Sequence, residues 1–296
     1  MNHNVEFTLS FEGNDADKHE IDLYDVAFAL MGFQRSIALT THLVLNQKII
    51  TQAPSLKGAK VLALPPEEGS WKVKAGVILT AAWVLGTTSN DNPVGHLVHS
   101  LYDYVISESL GFHVDYNKSL GLLYEENKEK KIDLPVIEQH QADSLIEKCS
   151  TAIKDLHRPI YKTKTANRAS ISANTGETDI PLNSSLSQDS FDYIKEEITI
   201  EIPEVVQGRI SSYNSNTYKG RIYVSSEGRP IPFELTEKAR TKYNVQLIIA
   251  SLSTNAHKNY DDKWSKIYCR ILKNTSRSGH LKSYVIMEMS NEFLSQ

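Results

Sequence analysis

From Ile198 onward the hydrophobic residues stop recurring at helical spacing and begin to alternate, and that change of period constrains what the chain can fold into. Segments 198–213, 219–225, 229–235, 246–253, 264–272 and 281–289 are rich in Ile, Val and Tyr. Turn chemistry separates them at Asn214-Ser215-Asn216, Glu227-Gly228 and Ser276-Arg277-Ser278-Gly279. Five or six short strands in under a hundred residues predict a small antiparallel β-barrel, closed or nearly so, of which an OB-like fold is one form. The chain has 296 residues, beyond the length at which a single core usually stops growing, so a second domain must precede the barrel.

That first domain reads as mixed α+β. Val5-Glu6-Phe7-Thr8-Leu9-Ser10-Phe11 alternates with a period of two, as a half-buried strand does. Asp22 can cap a long amphipathic helix whose apolar residues run from Val26 through Leu30, Phe33 and Ile37 to Val44. Lys60–Leu64 and Trp71–Val73 flank a Pro-Gly turn and read as paired strands. Asn92-Pro93 starts a second helix, and Gly111 stands where a C-terminal glycine belongs. A third helix is expected to open at Leu134-Pro135 and to end by Arg158-Pro159, with Leu145, Ile146, Cys149, Ile153 and Leu156 on its apolar face. Residues 162–190 fill with Ser, Thr, Asn and Asp, which predicts an interdomain linker with at most a short strand at Ala169–Ala173. The expected division is therefore an α+β domain over 1–161, a linker over 162–190 and a barrel domain over 191–296.

Composition narrows the setting. With 40% hydrophobic and 23% charged residues the chain is globular, and two widely separated cysteines, Cys149 and Cys269, do not make a disulfide framework. The first residues carry neither a basic stretch nor an apolar core of a signal peptide, so a reducing cytoplasm is expected. The longest apolar run, Ala75–Gly86, has 12 residues, short of the roughly 20 that a membrane-spanning helix needs. It reads as a buried helix or strand, with a membrane-active segment as the minor alternative. Net charge is −4, but unevenly spread. Residues 205–296 hold 14 basic against 7 acidic side chains, and residues 1–204 hold 18 against 29. Such asymmetry suits an anionic partner for one end, or docking between the ends.

Two stretches carry a resemblance. Glu68-Gly69-Ser70-Trp71 before an expected apolar helix, and Gly208-Arg209-Ile210 with Gly220-Arg221-Ile222 and Arg229-Pro230-Ile231-Pro232-Phe233, resemble a family of uncharacterised bacterial proteins. The resemblance implies an α+β domain followed by a small β-domain, and an association with mobile elements or phage-defence genes. It implies no activity and carries over no functional residues.

Candidate chemistry is sparse. No phosphate-cradling glycine loop, dinucleotide fingerprint or nucleophile elbow occurs. His96, His99 and Asp103 share one face of the helix from Pro93 and could hold a divalent metal. The ordinary explanation is a solvated face, and it is weighted well above the metal. Cys149 and Cys269 fall on apolar faces and read as inert buried thiols, not nucleophiles. No catalytic residue and no cofactor is therefore assigned.

The barrel offers the richest constellation. By alternation Lys219, Arg221 and Tyr223, then Trp264, Lys266, Tyr268 and Arg270, then Lys282 and Tyr284 fall on the polar sides of their strands. Aromatic rings among cations are how single-stranded nucleic acids or nucleotides are bound, although Lys, Arg and Tyr are also ordinary on outer barrel faces. The expectation placed first is a non-enzymatic interaction module, a sensor, adaptor or structural subunit with a protein partner or self-association. A nucleic-acid-binding protein acting through the barrel comes second. A metal-dependent or membrane-active effector comes third.

Overall fold

The computed structural model describes residues 5–50, 52–64, 71–79, 92–112, 120–129, 134–175, 179–195, 197–260, 262–275 and 281–294. The chain divides into two units, Met1–Lys195 and Glu196–Gln296.

In the first unit an antiparallel sheet is built around β1 (Val5–Glu12), the alternating strand. The sheet order is β2 (Ala59–Ala63), β3 (Lys72–Leu79), β1, β4 (Arg168–Asn174), β5 (Asp179–Leu186). Val5, Phe7, Leu9 and Phe11 fall on one side of β1 and are fully buried, so they anchor the core. Helix α1 (Leu23–Asn46) starts where the Asp22 carboxylate accepts the Asp25 N–H at 2.9 Å. Helix α2 (Pro93–Ser109) starts where the Asn92 side chain accepts the N–H groups of Val94 and Gly95. Tyr102 of α2 meets Phe7 edge-on, with ring centroids 4.9 Å apart, and its hydroxyl lies 3.0 Å from Ser36 Oγ of α1. Short helix α3 (Leu122–Glu129), α4 (Gln139–Leu156), the single turn α5 (Arg158–Tyr161) and α6 (Gln188–Lys195) complete the unit. Gly32 lets α1 and α4 approach, because a Cβ there would stand 2.3 Å from the Ala152 carbonyl oxygen.

Two expectations for this unit need correction. Residues 162–190 are no linker, because β4 pairs along β1 from Glu6↔Asn174 to Glu12↔Arg168 and β5 pairs on β4. Ala169, Ile171 and Ala173, with Leu182 and Leu186, alternate into the core, while the intervening Ser and Asn hide the pattern. A strand buried on one face needs only that sparse apolar set. The third long helix begins at Gln139, where the Gln141 side chain accepts the Glu138 N–H, and not at Leu134-Pro135. Of the apolar run 75–86, residues 75–79 end strand β3, and the remainder lies outside the described residues, as do Glu68, Gly69 and Ser70.

The second unit is a ring of five strands. They are β6 (Ile198–Asn214), β7 (Lys219–Val224), β8 (Arg229–Leu235), β9 (Ile267–Thr275) and β10 (Leu281–Ser290), with α7 (Lys242–Ala256) between β8 and β9. The hydrogen-bonded order β10-β8-β7-β6-β9 returns to β10, so the sheet closes on itself. Long strand β6 makes closure possible by pairing with β9 over 198–208 and with β7 over 208–214. Ile210, Ile222, Ile231, Phe233, Ile267, Ile271 and Ile286 fill the interior. The ring is not wholly antiparallel, since β8 and β10 run parallel through Tyr284↔Phe233. Parallel neighbours need a crossover, here made by α7 and β9 together, and the segment 246–253, expected as a strand, lies in helix α7. Its buried residues Asn244, Leu247, Ile248 and Ser251 recur at helical spacing.

No helix among the described residues is long and apolar enough to cross a membrane.

Candidate binding surface

The outer face of the ring is set by strict alternation on β7. Gly220, Ile222 and Val224 turn inward, leaving Lys219, Arg221 and Tyr223 on the outer side. Register then decides which of these work together. Tyr223 stands opposite Arg209 of β6, and the Arg209 guanidinium lies over the Tyr223 ring at 4.9 Å from its centroid. The Tyr260 ring lies against the same guanidinium, at 4.2 Å. Trp264 sits in the turn before β9, where its backbone N–H is accepted by Asp262 Oδ1 at 2.8 Å and Lys263 Nζ lies 5.1 Å from its ring. Lys266 is exposed, and Tyr268 of β9 faces outward against Phe293, edge-on at 5.6 Å.

The nine residues expected on this surface therefore separate. Tyr223 pairs with Arg209 itself, Tyr268 pairs with Gln207 two residues before it, and Trp264 and Lys266 lie just ahead of β9. Arg270 Nε lies 3.2 Å from the Glu288 carboxylate, so part of its charge is answered within the ring. Lys219 stands opposite Glu234 in the sheet register, and Lys282 is half-buried. Arg221 is only 6% exposed and cannot present its guanidinium as a surface cation would. Tyr284 is a full correction: its side chain is in the core at 0% exposure. Register shifts between Leu281 and Ser283, and again between Ile286 and Glu288, make β10 irregular. One extra residue reverses every later side chain, so simple alternation puts Tyr284 on the wrong face. Burial in that apolar interior pushes its phenol pKa up.

Two central residues, Arg209 and Tyr260, are absent from the set that alternation picks out in the sequence. Arg209 carries a usable signal, since it alternates with the inward Gly208 and Ile210. Its pairing with Tyr223 depends on register, which the sequence does not print. Tyr260 lies in the irregular segment after α7, where no periodicity exists to place it.

The helical cluster in the first unit behaves otherwise. Asp103 is buried, not solvated, and it accepts the Asn183 backbone N–H at 2.8 Å, the Asn183 side-chain amide, and the Ser107 hydroxyl at 3.3 Å. It ties α2 to β5. His99 is half-buried, and burial lowers its pKa, opposed in part by nearby Asp103. Among the described residues no group of three His, Cys, Asp or Glu side chains is arranged to hold a metal ion. His113 and Asp115 lie outside the described residues.

Cys149 and Cys269 are free and buried, and burial pushes the Cys149 thiol up to about 12 and Cys269 higher still. Neither supplies a thiolate near neutral pH. A serine–histidine contact does occur, between Ser190 Oγ and His157 Nε2 at 2.9 Å. The His157 Nδ1 faces the Ile153 carbonyl at 2.7 Å where a catalytic histidine would face an orienting carboxylate, and both residues are buried. The pair holds α6 against the end of α4.

Comparison with characterised proteins and with solved structures finds no match. Two family models do match: one described as Domain of unknown function (DUF7946), over residues 7–195, and one described as Family of unknown function (DUF7947), over residues 203–290. Their limits straddle the division between the structural units at Lys195. The chain belongs to the DUF7946 family, with a DUF7947 domain following in the same polypeptide.

Proposed function

We propose that the protein is a non-enzymatic interaction module of a cytoplasmic bacterial assembly, in which the C-terminal ring is an OB-like barrel that recognises a ligand or partner. The observation that carries this reading is the Arg209 guanidinium held against Tyr223 and Tyr260 on the outer side of β6, with Tyr268 on the neighbouring strand β9 and exposed Trp264 and Lys266 just ahead of it. The OB-like reading is supported by the strand order, by the parallel β8–β10 pair and by a helix inserted between β8 and β9. The N-terminal unit supplies association surface, and the first turns of α1 leave Leu23, Tyr24 and Met31 largely exposed. Two free cysteines in apolar interiors are compatible with a reducing compartment.

The test is isolation of the tagged full chain from a native-like host, with identification of the macromolecule that accompanies it. The expected result is a species retained by the native chain and lost from a Tyr260→Ala, Trp264→Ala double variant that melts at the same temperature. A native chain that retains nothing beyond what the double variant retains overturns the proposal.

A further inference from the structure

Arg209 is held in an unusual way for a surface cation. Gly208 and Ile210 are buried, so Arg209 projects from the outer side of β6, where its guanidinium lies against the rings of both Tyr223 and Tyr260. Stacking uses the faces of the guanidinium and leaves its in-plane N–H groups as hydrogen-bond donors. Among the described residues no carboxylate or carbonyl oxygen takes up those donors. The rings also fix the side chain, so little rotamer freedom is left to lose on binding.

A second cation stands beside it. The β6–β9 register runs Gln207↔Tyr268 and Gly208↔Ile267, and exposed Lys266 directly precedes β9, one residue beyond that last pair. Tyr268 faces outward on β9 opposite Gln207, and exposed Tyr260 and Trp264 belong to the segment between α7 and β9, Tyr260 against Arg209. Exposed aromatic surface therefore alternates with uncommitted cations, within a segment (205–296) of net +7. An acidic protein surface supplies carboxylates, but flat groups beside them only where its own sequence happens to place an aromatic ring. A single-stranded nucleic acid supplies both, a phosphate between each pair of bases.

We propose that this face binds single-stranded nucleic acid, with phosphate at Arg209 and Lys266 and bases against Tyr260, Trp264 and Tyr268. The proposal rests on the barrel being the recognition element and names its ligand class.

The test uses the full chain and a fluorescein-labelled deoxythymidine strand of roughly 15–20 nucleotides, long enough to cover one OB-sized site. Anisotropy is read across a series of KCl concentrations. Affinity is expected to fall with salt, and Arg209→Gln or Lys266→Gln should each lower the log–log slope by about 0.7, as loss of one phosphate contact on a single strand does. Tyr260→Ala should weaken binding roughly 5- to 100-fold at unchanged slope, as loss of a stacked base does. Thermal melts of each variant show that the ring is folded, and having two cation variants keeps the test decisive if one fails to fold. Absence of binding overturns the proposal, as does binding that none of the three variants alters. An abasic strand of the same length bound as tightly as the thymidine strand also overturns it, since that is attraction to a polyanion alone. If no oligonucleotide binds but the isolated partner is still lost on Tyr260→Ala, Trp264→Ala, the ligand class is wrong while the interaction-module reading stands.

Discussion

Acidification should weaken the first unit through one residue, His157. The imidazole is fully buried, and that burial lowers its pKa from 6.5 to about 4, despite the hydrogen bond from its ring to the Ile153 carbonyl. A folded-state pKa below the unfolded value means that the unfolded chain takes up the proton first as pH falls. The stability from keeping His157 neutral is thus complete above pH 6.5 and lost progressively down to about pH 4. Each tenfold difference in proton affinity between the folded and unfolded chain corresponds to about 1.4 kcal/mol, so by pH 4.5 the loss attributable to this residue should be about 2 to 3 kcal/mol. His157→Asn keeps a donor for the Ile153 carbonyl and removes the titration. Urea unfolding of both proteins at pH 7 and pH 4.5 isolates this contribution, because other titrating groups, His42 and His99 among them, are common to both. A Trp264→Phe background leaves Trp71 and Trp83, so fluorescence follows the first unit. The stability advantage of the native chain over His157→Asn should shrink by that amount between the two pH values. An advantage that stays constant would refute the reasoning.

Two further outcomes are expected. Gly32→Ala places a Cβ against the Ala152 carbonyl oxygen and should lower stability by about 1–3 kcal/mol, as overpacking does, although alanine favours helices; an unchanged urea midpoint would show that α1 and α4 separate freely. Asp103→Ala leaves the Asn183 N–H without its acceptor and should cost about 1–3 kcal/mol in urea unfolding, while a metal chelator leaves the melting temperature of the native chain unchanged; a chelator-sensitive native chain would restore the metal reading of His96, His99 and Asp103.

Local chemistry determined a good part of this protein. The alternation from Val5 to Phe11, the caps at Asp22 and Asn92, and the apolar period of α1 specify their elements without help from distant residues, and the structure has them. The change of texture near Ile198 likewise marks where the second unit starts, because strand alternation and turn residues act within a few positions. What needed tertiary structure was every feature defined by a partner far along the chain. Strands β4 and β5 look like linker because a polar strand becomes stable only when β1 offers its edge. The apolar run in α7 is compatible with strand or helix, and closure of the ring around a crossover decides for helix. Asp103 reads as solvated until Asn183 arrives from β5 to meet it. On the ring, irregular register reversed Tyr284 and the β6–β7 register joined Arg209 to Tyr223. Alternation says which side of a strand a residue takes, but register alone decides which residues it faces, and register is a property of the closed sheet.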